Sequence, residues 1–173
     1  NCLKEYGKTP IALMNDLGLF ELPTLAAHCV HVTDEDIAIM QEKHVRVAHN
    51  PGSNLNLASG IAPVVKMRKA GITVGLGTDG ASSNNKLDMF AEMRLASLIH
   101  KANTYDPFAI TATEAMEMAT VDGAKCLGYD DLGKLEKGAL ADIILVDRSG
   151  FHWHPRFDSV SLAVYAGNSM DVD

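Results

Sequence analysis

Val74-Gly75-Leu76-Gly77-Thr78-Asp79-Gly80 is a short apolar run that ends on a lone aspartate beside glycines. In a parallel α/β barrel a strand of this kind delivers its last polar side chain to the C-terminal rim, where the active sites of that architecture form. Two segments upstream repeat the design, Leu25-Ala26-Ala27-His28 and Val45-Arg46-Val47-Ala48-His49. Three successive strands would therefore bring His28, His49 and Asp79 to one rim. A carboxylate in that place suits a metal ion and a water molecule.

The segments between these strands read as helices. Thr9 followed by Pro10 opens a short apolar helix that Gly18 closes, and Thr33 caps a second one whose first turn, Asp34-Glu35-Asp36, complements the helix dipole. Strands are expected over residues 24–30, 45–48 and 72–77, and helices over 61–70, stopped by Gly71, and over about 87–102. Asn50-Pro51-Gly52-Ser53-Asn54 has the composition of a turn and is expected to be a polar loop. Strands alternating with helices at this spacing indicate βα units and a parallel sheet.

Beyond Pro107 the pattern changes. Residues 113–118 and 121–127 read as short helices, and Gly128, Gly133 and Gly138 punctuate a turn-rich stretch before the apolar segment Ala141–Asp147, an expected strand. The boundary expected from this is a partial barrel over 1–127 and part of a small flanking β-rich domain over 128–173. Asn1–Tyr6 reads as the middle or end of a helix, and residues 159–173 stop without a clear cap. Both ends suggest a fragment of a longer chain.

Composition narrows the function. A chain of 173 residues, 47% hydrophobic, with a formal charge of −7, can bury one aliphatic core but offers no clustered positive surface for a nucleic-acid polymer. No stretch approaches the roughly 20 apolar residues of a membrane span. Cys2, Cys29 and Cys126 form no CxxC pair and fit inert thiols in a reducing cytoplasm. A doubly wound nucleotide-binding module shares the βα alternation but needs a glycine-rich phosphate loop, and Gly75-Leu76-Gly77 lies within a strand and lacks the third glycine.

Four segments taken in order, Ala27-His28-Cys29-Val30-His31, His49-Asn50-Pro51-Gly52-Ser53-Asn54, Leu76-Gly77-Thr78-Asp79-Gly80 with Ser83-Asn84-Asn85, and Gly138-Ala139-Leu140-Ala141-Asp142, resemble the back half of the metal-dependent amidohydrolases. The resemblance is to the branch of methylthioadenosine/S-adenosylhomocysteine deaminases, guanine deaminases and triazine hydrolases, and it covers nearly the whole chain. It implies strands six to eight of a (β/α)₈ barrel plus part of the small flanking domain. The implied activity is hydrolytic deamination of an adenosine-like thioether nucleoside, with a guanine or chloro-triazine substrate, or a non-catalytic fragment, as alternatives.

The same resemblance implies that Asp79 is a ligand of one divalent metal, zinc by preference, and the proton acceptor for the attacking water. The bland alternative for Asp79 is a helix N-cap. His28 matches a histidine that stands beside the water or substrate and stabilises developing charge, against the alternative of a hydrogen-bonded strand-end histidine. His49 is a candidate for the substrate side of the pocket mouth, or equally part of a loop-stabilising cluster. His31, His44, His100, His152 and His154 are expected at the surface or in structural roles. The family's remaining metal ligands, a His-x-His pair and a fifth-strand histidine, and its substrate-handling glutamate are not in the chain and are expected upstream of Asn1. A small-molecule substrate is the implied partner, and strand edges left bare by the missing barrel half imply a homo-oligomer.

Overall fold

A computed structural model describes residues 1–173. The order is α1 (Cys2–Tyr6), α2 (Pro10–Asp16), β1 (Leu25–Ala27), α3 (Asp34–Glu42), β2 (Arg46–His49), α4 (Pro51–Asn56), α5 (Val64–Lys69), β3 (Val74–Leu76), α6 (Met89–Thr104), α7 (Ala112–Ala119), α8 (Val121–Cys126) and α9 (Ser159–Tyr165). The helix starts follow the capping signals. The Thr9 hydroxyl accepts the Ala12 N–H, Thr33 and Asp36 form a reciprocal capping box, and Asp88 accepts the N–H groups of Phe90 and Ala91.

The three strands pair in parallel in the order β1-β2-β3, with Leu25 opposite Arg46 and Val47 opposite Val74. Paired residues share a face, so the register defines two surfaces. Ala26, Val47, His49, Val74 and Leu76 lie on one. They join a core with Ile37 and Met40 of α3, Met67 of α5, and Met93 and Ala96 of α6. Leu25, Ala27, Ala48 and Gly75 lie on the other. There α8 covers β3 so closely that a Cβ on Gly75 would stand 2.9 Å from Gly123 Cα and 3.2 Å from Cys126 Sγ. Beside this contact a groove of about 570 Å³ opens, lined in part by Leu25, Ala48, Gly77 and Ile144.

Two expectations are corrected. Residues 50–54 are not a loop: Pro51 at the first helical position starts α4, and the Asn54 and Leu57 N–H groups bond back to Asn50 and Ser53. Residues 141–147 form no strand, because nothing lies beside them to complete a ladder. Ile143, Ile144 and Leu145 are largely exposed, and the only pairing is the antiparallel bridge between Val146 and Val172. Between residues 128 and 173 the secondary structure is α9, two single 3-10 turns and this bridge. The Asp158 side chain accepts the Ser161 N–H and starts α9, which packs on α6 and α7. β1 and β3 are shorter than the expected strands, because the chain leaves the sheet at His28 and at Gly77, whereas β2 keeps four residues one position later.

No helix is long and apolar enough to cross a membrane. The cysteines are free thiols. Burial raises Cys29 to about 11 and also raises Cys126, so both stay protonated and unreactive near neutrality.

Candidate active site at the strand ends

β1 and β3 end beside the same point in space, although β2 lies between them. His28 has φ 68° and Cys29 φ 50°, and Asp79 has φ 60°. Left-handed backbone at non-glycine residues is unfavourable, by roughly 1–2 kcal/mol each, and persists where surrounding structure enforces it. Here it turns the chain out of the sheet, so that His28 escapes the strand alternation that would send it to the helical side with Ala26. His28 Nε2 comes within 3.7 Å of Asp79 Oδ2, with the two side chains 40% and 32% exposed. The pair sits on an open rim rather than in an enclosed cavity.

Each of the two is held by α4. Ser53 Oγ donates to Asp79 Oδ2 at 2.6 Å, and Asn54 Oδ1 lies 2.7 Å from His28 Nδ1. An amide oxygen only accepts, so Nδ1 carries the hydrogen of this bond, and Nε2 is the ring nitrogen that faces Asp79. Asp79 receives two further bonds, from Ser83 Oγ to Oδ2 at 2.9 Å and from the Gly80 N–H to Oδ1 at 2.7 Å. The Ser53 hydroxyl, the Gly80 N–H and the Ser83 hydroxyl together pull the Asp79 carboxyl down to about 2, so it is ionised at any working pH. Asp79 caps no helix, because turns rather than a helix follow it.

A carboxylate has about four lone-pair positions, and three of these are occupied on Asp79. The fourth, on Oδ1, is open. An ionised carboxylate with one free position is a ligand that zinc accepts, and the His28 imidazole stands beside it. The carboxylate supplies only part of a metal shell. The chain assembles no group of three or more His, Cys, Asp or Glu side chains that could hold a metal ion.

His49 does not reach the rim, contrary to its expected place at the pocket mouth. It shares a strand face with Val47, so alternation directs it into the helical layer, where it is 1% exposed. Its Nε2 lies 3.1 Å from Nε2 of His100, itself buried on α6, and its Nδ1 has no partner. Burial, with His100 and His28 nearby, lowers His49 to about 3, and burial lowers His100 to about 4. Both rings are neutral, one donating to the other. His100 is thus structural, as expected of it, but as the partner of His49.

The sequence did not single out Ser53 and Ser83 as clamps on Asp79, nor Glu92, which is 2% exposed and accepts from the Gly52 N–H and Asn84 Nδ2. Ser53 lies 26 residues from Asp79, so no local spacing announces the contact. Glu92 and His100 did carry a signal. With Ala96 they recur every four residues along α6, on the stripe that buries Met93.

Comparison with known proteins identifies the family. A model described as the amidohydrolase family matches residues 1–172. A 5-methylthioadenosine/S-adenosylhomocysteine deaminase of Dictyoglomus thermophilum is 53% identical over 173 residues, covering 100% of this chain and 41% of that protein. Among solved structures, a zinc-bound adenosine deaminase from Xanthomonas campestris superposes with a TM-score of 0.93 at 36% identity, covering 99% of this chain and 39% of that one. An atrazine chlorohydrolase from Arthrobacter aurescens, complexed with zinc, gives 0.90 at 32%, with 99% and 38% covered. The chain spans about two-fifths of the length of the relatives it matches. It belongs to the amidohydrolase family.

Proposed function

We propose that this chain is the part of a hydrolytic deaminase that carries one metal ligand and the neighbouring imidazole, acting on an adenosine-like thioether nucleoside. The observation that carries the proposal is the meeting of His28 and Asp79 at 3.7 Å across the ends of parallel strands, each fixed by its own α4 residue. In this proposal β1, β2 and β3 are strands six, seven and eight of a (β/α)₈ barrel. The largely exposed stretch 128–147 would belong to the flanking β-layer of that barrel. The 53% identity to a methylthioadenosine/S-adenosylhomocysteine deaminase supports the substrate class.

Asp79 would bind a divalent ion, zinc by the precedent of two structural neighbours, through the open position on Oδ1. When bound, the ion lowers the pKa of water and polarises the group under attack. Asp79 then serves as the local proton acceptor, and its three hydrogen bonds keep it anionic until it does so. His28, oriented by its Nδ1 bond to Asn54 so that Nε2 faces Asp79, would hold the attacking water. The exocyclic amine leaves as ammonia once protonated.

The test is ammonia release by the full-length protein with methylthioadenosine, adenosine, guanine and a chloro-triazine in parallel. Turnover of methylthioadenosine that disappears in Asp79→Asn is the expected result. Turnover of guanine alone, or chloride release from the triazine alone, would replace the substrate assignment, and retention of activity in Asp79→Asn would refute the role of the carboxylate.

A further inference from the structure

Glu92 is a buried carboxyl whose hydrogen-bond partners are both neutral, the Gly52 N–H at 2.9 Å and Asn84 Nδ2 at 2.7 Å. Burial raises its pKa while these two donors oppose the rise. A buried carboxyl without a cation contributes less to stability than an apolar side chain of the same shape. Its neighbours along α6, Phe90, Met93 and Ala96, are all core residues. Packing therefore gives no reason for a glutamate here.

Its two partners do give a reason. Gly52 directly precedes Ser53 and Asn54, the residues that clamp Asp79 and His28. Asn84 directly follows Ser83, the second clamp on Asp79, and its Nδ2 also donates to the Thr78 carbonyl at 2.9 Å, one residue before Asp79. The approach is close by construction, because a Cβ on Gly52 would collide with the Glu92 carboxylate and stand 2.8 Å from Asn84 Nδ2. One carboxyl on α6 thus joins the two segments that converge on the rim.

We propose that Glu92 is a positioning residue which, by bridging Gly52 and Asn84, sets the Asp79 carboxylate and the His28 imidazole in their working geometry. The proposal rests on the deaminase function proposed above. In Glu92→Gln the amide oxygen accepts from one segment only, and the amide NH₂ faces the other donor. The full-length protein carrying Glu92→Gln should lose about 10- to 100-fold in kcat, with KM within about threefold, and zinc affinity measured by chelator competition should weaken by a similar factor.

Ser97→Ala is the control. Ser97 is equally buried on α6 but bonds the Ile110 carbonyl and Tyr165, away from the rim. It should lower the unfolding midpoint while leaving kcat and zinc affinity unchanged. Should Glu92→Gln fail to fold, Asn84→Ala opens the same bridge from a partly exposed loop and should give the same two losses. Normal kcat and zinc affinity in whichever of the two variants folds, or equal losses in Ser97→Ala, would overturn the proposal. A wild-type protein that releases no ammonia and holds no zinc would instead overturn the deaminase function, before any variant is compared.

Discussion

Acidification should unfold this chain through the His49–His100 pair. The folded values of about 3 and about 4 stand against an ordinary value of 6.5 in the unfolded chain. Both rings are therefore uncharged when folded, and below 6.5 the unfolded state binds two more protons than the folded one. Their contribution is fully present above pH 6.5 and is lost as pH falls toward the folded values. At about pH 5 each ring is about 1.5 units below its unfolded value, which at 1.36 kcal/mol per unit is about 2 kcal/mol, and about 4 kcal/mol for the pair. Against a typical total of about 5–15 kcal/mol, and with a urea dependence of about 2 kcal/mol/M, the midpoint should drop by about 2 M between pH 7.5 and 5. Urea titration followed by far-ultraviolet circular dichroism measures this. His100→Gln removes one titrating ring and should roughly halve the drop. A midpoint that holds steady to pH 5, or a drop unchanged in His100→Gln, would refute the assignment of the loss to this pair.

Other consequences are as direct. In the full-length protein His28→Ala should lower kcat by a factor on the order of 10², the loss typical of one electrostatic group, with the fold retained by circular dichroism. Gly75→Ala drives a methyl into the backbone of α8 and should destabilise the chain by about 1–3 kcal/mol in urea titration, whereas Gly7→Ala meets no neighbouring atom and involves only its left-handed backbone. The 173-residue chain by itself should keep less than stoichiometric zinc after dialysis, because Asp79 alone is an incomplete ligand set. It should also self-associate in light scattering through its two bare sheet edges. A zinc-loaded monomer would contradict both statements.

The strand-helix alternation and the meeting of His28 with Asp79 were legible because they depend on short-range patterns, apolar runs, caps and a polar residue at a strand end. Thr9, Thr33 and Gly71 marked their boundaries for the same reason. What escaped depends on neighbours distant in sequence. Turn-forming composition at 50–54 hid a helix that Pro51 could start once Asn50 had its place at the end of β2. The apolar run at 141–147 had strand propensity but no adjacent strand. The side to which His49 points follows from its register with Leu76, and the left-handed turn that separates His28 from the same rule has no signature in residue type. The buried Glu92 was hidden because charged residues on a helix ordinarily face water.

The contact between Gly75 and α8 gives the sheet a floor. Cys126 Sγ reaches the carbonyls of Val47 and Thr73, near the start of the strands, and Gly123 lies against Gly75 halfway along. The face that carries Ala48 and Gly75 is thus covered by α8 over the lower half of β2 and β3. His28 and Asp79 stand at the opposite end of the strands, so α8 braces the sheet on the side away from the rim and leaves the rim itself open.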